Sequence, residues 1–117
     1  MTINIQCSNI ESSDALKEYT ETKLLTLTKF FDNIQKIDVD IGVRDHHHNK
    51  GKKYYAEVNV YIPGKIVRVA KDTEELYKAI DKVKDHLKVE LQKIKEKMRR
   101  QDRRVIREQK AYKPEVD

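Results

Sequence analysis

Few residues in this sequence have the types and spacing that chemistry needs. His46, His47 and His48 are consecutive nitrogen donors, but adjacent histidines on one loop seldom converge on a single ion. Only the neighbouring Asp45 could add to them, so the triplet reads as part of a polar hairpin loop. Cys7 is the single cysteine; it has no partner for nucleophilic catalysis and reads as a strand residue near the core. One cysteine also excludes an intramolecular disulfide and a cysteine-based metal cluster. Asp38 and Asp40 fall on the polar side of an alternating segment and read as solvated carboxylates rather than an acid/base pair. The three glycines, Gly42, Gly51 and Gly64, are scattered and form no phosphate-cradling loop, and no nucleophile elbow or kinase motif is present. The residues therefore predict no enzyme, no cofactor and no metal.

Charge is the stronger signal. The 117 residues carry 25 Lys and Arg against 20 Asp and Glu, a net charge of +5. Residues 1–81 hold 12 basic and 13 acidic residues, whereas residues 82–110 hold 12 basic and 5 acidic. The whole excess sits on one segment, which is either a docking surface for a polyanion or a solvated helix with a basic tail. The length suits one domain. No apolar run approaches the ~20 residues of a membrane span, and the N-terminus lacks the pattern of a secretory signal. A reducing, cytoplasmic setting is expected.

The elements that position these charges follow from periodicity. Ile3 and Ile5 alternate with polar residues in a short strand. Ser12 and Ser13 can cap a helix whose first turn holds Asp14. Leu16, Tyr19, Leu24, Leu27, Phe30 and Phe31 recur at helical spacing, predicting about four turns that end near Asp32 and Asn33. Ile37, Val39, Ile41 and Val43 alternate in a second strand. After the polar stretch 45–53, Ala56, Val58, Val60 and Ile62 alternate in a third, and Pro63-Gly64 turns the chain into a fourth over 65–71. Asp72 and Glu75 read as a capping box. Behind it Leu76, Ile80, Val83, Leu87, Leu91, Ile94 and Met98 mark a long helix with one narrow apolar stripe. The predicted fold is α+β: a two-layer sandwich of order β-α-β-β-β-α, with two helices on one face of a four-stranded sheet. Residues 1–98 form the predicted domain, followed by a basic, flexible tail over 99–117.

Unrolling the long helix at about 100° per residue sorts its charges. Lys82, His86, Lys93, Lys97 and Arg100 fall on one flank of the apolar stripe. Lys84, Lys88, Lys95 and Arg99 fall on the other. Glu74, Asp81, Asp85 and Glu96 gather between the flanks, away from the core. Such lysines can snorkel over apolar surface or pair with carboxylates one turn away. The first flank is the better candidate for RNA contact, because its one acidic interruption is Glu90 at the core edge.

Several segments together resemble the short ribosome hibernation-promoting factors, also called ribosome-associated inhibitors or sigma-54 modulation proteins. The resemblance runs from Thr2 to about Lys97. It rests on Glu75 to Lys82 (ELYKAIDK), the "L-x-K" at Leu91 to Lys93, and the N-terminal "N-I" strand with "A-L-K-E-Y" and "F-D-N-I" around the first helix. It implies a fold similar to double-stranded-RNA-binding domains. It also implies binding to the small ribosomal subunit and its ribosomal RNA at the decoding region. Occupancy there would block messenger and transfer RNA, inhibit translation and stabilise idle ribosomes under stress or in stationary phase. Carried over by position, the RNA-binding residues are Lys17, Lys23 and Lys29 of the first helix and His86, Lys93 and their neighbours of the second. Thr26, His86 and Val89 depart from the basic residues relatives often carry there, which shifts weight to Lys82, Lys97 and Arg100. The free protein is expected to be a monomer with no small-molecule substrate. Two other readings compete: a general duplex-RNA-binding module without ribosome specificity, and a protein adaptor using Tyr55 and Tyr61 on the open sheet face.

Overall fold

Strand β1 (Thr2–Ser8) turns Ile3, Ile5 and Cys7 to one face and Asn4 and Gln6 to the other. The remaining strands continue those rows. β2 (Lys36–Asp45) pairs parallel with β1, and β3 (Lys52–Ile62) and β4 (Lys65–Thr73) add antiparallel, in the order β1-β2-β3-β4. One inward row is Ile3, Ile37, Val60, Val67; the next is Ile5, Val39, Val58, Val69. The period-two alternation read from the sequence is thus the register of the sheet. The structure, a computed structural model, describes residues 1–45 and 52–111; His46, His47 and His48 lie outside the described residues.

Between β3 and β4 the chain reverses over Pro63 and Gly64. Gly64 has φ of 75°, the left-handed value that the second central residue of a type II turn requires, with proline before it. At Gly42 the need is space: a Cβ there would stand 2.6 Å from the Tyr55 ring and 2.4 Å from the carbonyl oxygen of Ser8.

Helix α1 (Asp14–Leu25) begins as expected, with the Ser13 hydroxyl accepting the Leu16 N–H at 3.1 Å. It does not run on to Asp32. The chain tightens into a 3-10 turn over Thr26–Lys29, where the hydroxyls of Thr26 and Thr28 donate to the carbonyls of Lys23 and Leu25 at 2.6 and 2.7 Å. Local hydroxyl bonds of this kind compete with the α-helical ladder. The tighter turn delivers Leu27 and Phe31 into the core, 0% and 5% exposed.

The capping box also does not form. Asp72 and Thr73 stay in β4, opposite Tyr55 and Tyr54, and the Asp72 carboxylate accepts from Arg44 at 3.3 Å. Thr73 donates its hydroxyl to the Glu75 carbonyl, and helix α2 starts at Leu76. Two more sheet pairings and a cross-strand ion pair win over the side-chain cap. At its other end α2 continues to Ala111 as one 36-residue helix, so residues 99–111, expected as part of a basic, flexible tail, are its last turns. Arg and Gln are good helix formers and no glycine or proline intervenes before Pro114.

Both helices cover the same sheet face. Leu16, Leu24, Ile80, Val83, Leu87 and Leu91 join the inward rows in one cluster. Replacing Leu87, which is fully buried, with alanine should cost about 3 kcal/mol in urea unfolding, mostly through the cavity it leaves.

Candidate nucleic-acid interface

The stripe Ile80, Val83, Leu87, Leu91, at most 2% exposed, sets the rotation of α2 about its axis. One flank consequently faces α1. There the Tyr19 and Tyr77 rings meet edge to face with centroids 4.7 Å apart. The Tyr19 hydroxyl donates to Asp81 Oδ1 at 2.6 Å, and Lys23 Nζ lies 3.5 Å from the same oxygen. Asp81 is therefore not on the outer side of the helix, as its angular position suggested; it ties the two helices together. The hydrogen bond to the Asp81 carboxylate, helped by burial and by that carboxylate's charge, pushes the Tyr19 hydroxyl from its ordinary 10.0 up to about 12.

This packing divides the residues expected to bind RNA. Lys23 is engaged by Asp81. Lys29 lines an open groove of about 340 Å³ with Phe30, Gln92, Lys95, Glu96 and Arg99, and Lys88 Nζ sits 4.7 Å from the centre of the Phe30 ring. Lys29, at the end of the 3-10 turn, therefore meets Lys88, Lys95 and Arg99, the flank given less weight from sequence. Lys82, Lys93, Lys97 and Arg100 are exposed on the other flank, away from α1, with His86 half-buried among them. Glu90 interrupts that flank more than expected, lying 3.5 Å from His86 Nε2 and 3.6 Å from Lys93 Nζ. Lys17 is exposed on α1. Lys84 is only 21% exposed and lies 3.3 Å from Asp85, so it adds little to the groove flank. Phe30, Lys88, Lys95 and Arg99 join up only through tertiary packing. The sequence signal for them was the angular sector they share with Tyr77 and Asp81, both of which face α1.

The opposite face of the sheet is charge-balanced, with Lys36, Arg44 and Arg68 set against Asp38, Asp72 and Glu57. Asn4, Gln6, Asp38, Asp40, Glu57 and Asn59 line a shallow depression there. Asp40 accepts from Ser8 at 2.8 Å and from Tyr55 at 3.2 Å. The amide of Asn4, bonded at 3.0 Å, together with the nearby Lys36 ammonium, holds the Asp38 carboxyl below its ordinary range. Glu57 pairs with Arg68. The tyrosine patch weighed for an adaptor is not formed: Tyr55 is 7% exposed, with the Arg44 guanidinium 4.2 Å from its ring centre, and Lys36 lies over Tyr61 at 4.3 Å. Among the described residues no group of three or more His, Cys, Asp or Glu could hold a metal ion, and no helix is long and apolar enough to cross a membrane.

Comparison with known proteins converges on one family. The sequence model described as Sigma 54 modulation protein / S30EA ribosomal protein matches residues 3–99. A ribosome hibernation promotion factor of Picosynechococcus is 37% identical over 98 residues, covering 83% of this chain and 50% of that protein. One from Deinococcus radiodurans is 34% identical over 93 residues, covering 80% and 48%. The chain thus spans about half the length of these relatives. A solved structure, a ribosomal subunit interface protein from Coxiella burnetii, superposes with a TM-score of 0.70 at 28% identity, covering 81% of this chain and 98% of that one.

Raising the Tyr19 pKa on folding stabilises the protein below the unfolded value of 10.0, and that contribution is lost as pH climbs through about 12. Tyr19→Phe should lower stability by about 1 kcal/mol at neutral pH. The gap between wild type and variant in urea titrations should hold steady to pH 10 and shrink towards pH 12.

Proposed function

Because the chain belongs to the Sigma 54 modulation protein / S30EA ribosomal protein family, we propose that it is a ribosome hibernation factor. In this reading residues 1–98 form the ribosome-binding domain, and residues 99–117 are an appended basic segment. The domain binds the small subunit at the decoding region, blocks messenger and transfer RNA, and so inhibits translation while idle ribosomes are preserved under stress or in stationary phase. The family match over residues 3–99 carries the reading.

The electrostatics are consistent with it. The helix layer is the side that can meet phosphates: Lys29, Lys88, Lys95 and Arg99 on the groove flank, Lys82, His86, Lys93, Lys97 and Arg100 on the outer flank, and Lys17 on α1. Lys23 serves more to hold Asp81 than to contact RNA. The sheet face, with Asp38, Asp40 and Glu57, points away from the RNA. Structured RNA hides its base edges in a deep, narrow groove, so recognition by shape and backbone contact suffices. A rigid core of this size excludes transfer RNA by volume. No catalytic step is required.

Co-sedimentation with purified small subunits, at low and high salt and with or without messenger and transfer RNA, tests the proposal. Binding that weakens with salt and is competed away by those two ligands is the expected result. Binding that survives both ligands would place the site elsewhere. Failure to bind subunits beside good affinity for bare duplex RNA would favour the general duplex-RNA module.

A further inference from the structure

The last three turns of α2 stand apart from the domain. Leu91 is the last fully buried residue of the helix and Ile94 the last to pack against the core. From Glu96 to Arg107 every side chain is exposed, and the molecule is elongated, 75 × 31 × 18 Å along its principal axes. The family match stops at residue 99; on one side Arg99 and Asp102 still border Phe31 and Asn33, and past Asp102 the helix runs on alone.

Its composition changes at the same point. The cations of α2 inside the domain are all lysines and His86, whereas Arg99, Arg100, Arg103, Arg104 and Arg107 follow one another beyond it. Unrolled, Arg100, Arg103, Arg104 and Arg107 occupy one continuous band about 100° wide. Along the domain that same sector mixes Lys78, Lys82, His86 and Lys93 with Asp85, Val89 and Glu96; over residues 100–107 it holds arginine alone. Arg100, Arg103 and Arg107 are exposed and form no ion pair with another described residue. Exposed arginines this close together repel one another; Glu96 stands at the start of their sector, Asp102 lies on a different side and Glu108 follows outside the band.

We propose that residues 100–107 of α2 are an RNA-docking arm, which continues the outer flank of the helix layer past the domain and lays its arginine band along the backbone of an RNA duplex. Guanidinium forks bind phosphate oxygens in pairs and in a fixed plane, which a lysine ammonium does not. A band of that width on a helix standing clear of the domain can meet phosphates of both strands beside a groove. A lipid surface fits less well. Met98, Val105 and Ile106 are the apolar residues of the projection, each about half exposed, and residues 99–111 contain no Leu, Phe or Trp to bury in a bilayer interface.

The inference rests on the proposed function only in taking RNA as the polyanion, and its test omits the ribosome so that the two stand or fall apart. Binding of the 117-residue chain to a blunt-ended RNA duplex would be followed by fluorescence anisotropy across a salt series. Changing Arg100, Arg103, Arg104 and Arg107 together to glutamine, whose helix propensity is close to that of arginine, should reduce the slope of log affinity against log salt by about three. Affinity at 0.1 M salt should fall about a hundredfold, while far-UV circular dichroism keeps its helical signal. The matching fourfold lysine variant should retain the slope within about one unit and lose affinity by up to about tenfold. A glutamine variant with the wild-type affinity and slope overturns the proposal. Displacement of the duplex by polyglutamate at equal charge concentration also overturns it, in favour of an acidic protein partner.

Discussion

The burial of one narrow stripe on α2 governs where every charge in this protein points. Ile80, Val83, Leu87 and Leu91 are almost wholly removed from water against β3 and β4, and each would have to be re-exposed for the helix to roll. Full burial of one such side chain is worth about 1.5–3 kcal/mol, so four of them outweigh the screened attractions that lysines on either flank could gain by rolling toward a different neighbour. The lysines follow the stripe. Their division into a groove flank and an outer flank is a geometric result of apolar packing.

The contact with α1 refines that placement. Asp81 accepts from Tyr19 and draws in Lys23, which fixes the approach of the helices and removes one carboxylate from the set that would otherwise oppose phosphate. The sheet does the complementary task with its other face. Hydrogen bonds from Asn4, Ser8 and Tyr55 hold Asp38 and Asp40 in place, and the Asn4 amide favours the ionised form of Asp38. A molecule with unpaired lysines over one layer and paired charges on the other has a preferred orientation toward a polyanion before any contact forms.

Much of this was legible in the sequence, and the exceptions have a common cause. The two-residue alternation of Ile37 to Val43 and of Ala56 to Ile62 states the sheet register directly, because one face is buried and a slip would expose it. The stripe from Leu76 to Met98 states the long helix. The errors fall where a local pattern competes with long-range pairing. Asp72 and Glu75 have the spacing of a capping box, but Asp72 finds Arg44 across two strands. Thr26 and Thr28 end a helix that apolar spacing alone would extend. Asp81 looks solvent-facing on a helical wheel, since a wheel knows nothing of Tyr19. The continuation of α2 past Met98 was obscured because charge density reads as a frayed tail, although the residues there are good helix formers. The grouping of the cations was legible only in part for the same reason: the wheel finds cations, but only packing shows that Lys29 joins Lys88, Lys95 and Arg99.

The claim that RNA is met by the helix layer and not by the open sheet face can be tested by the salt dependence of small-subunit binding. Lys29→Gln, Lys88→Gln and Lys95→Gln combined should lower the slope of log affinity against log salt by about two units. Arg44→Gln with Arg68→Gln, on the sheet face, should leave the slope unchanged. The reverse pattern, with the sheet-face pair lowering the slope and the helix-layer triple leaving it intact, would contradict the assignment of the RNA-facing side.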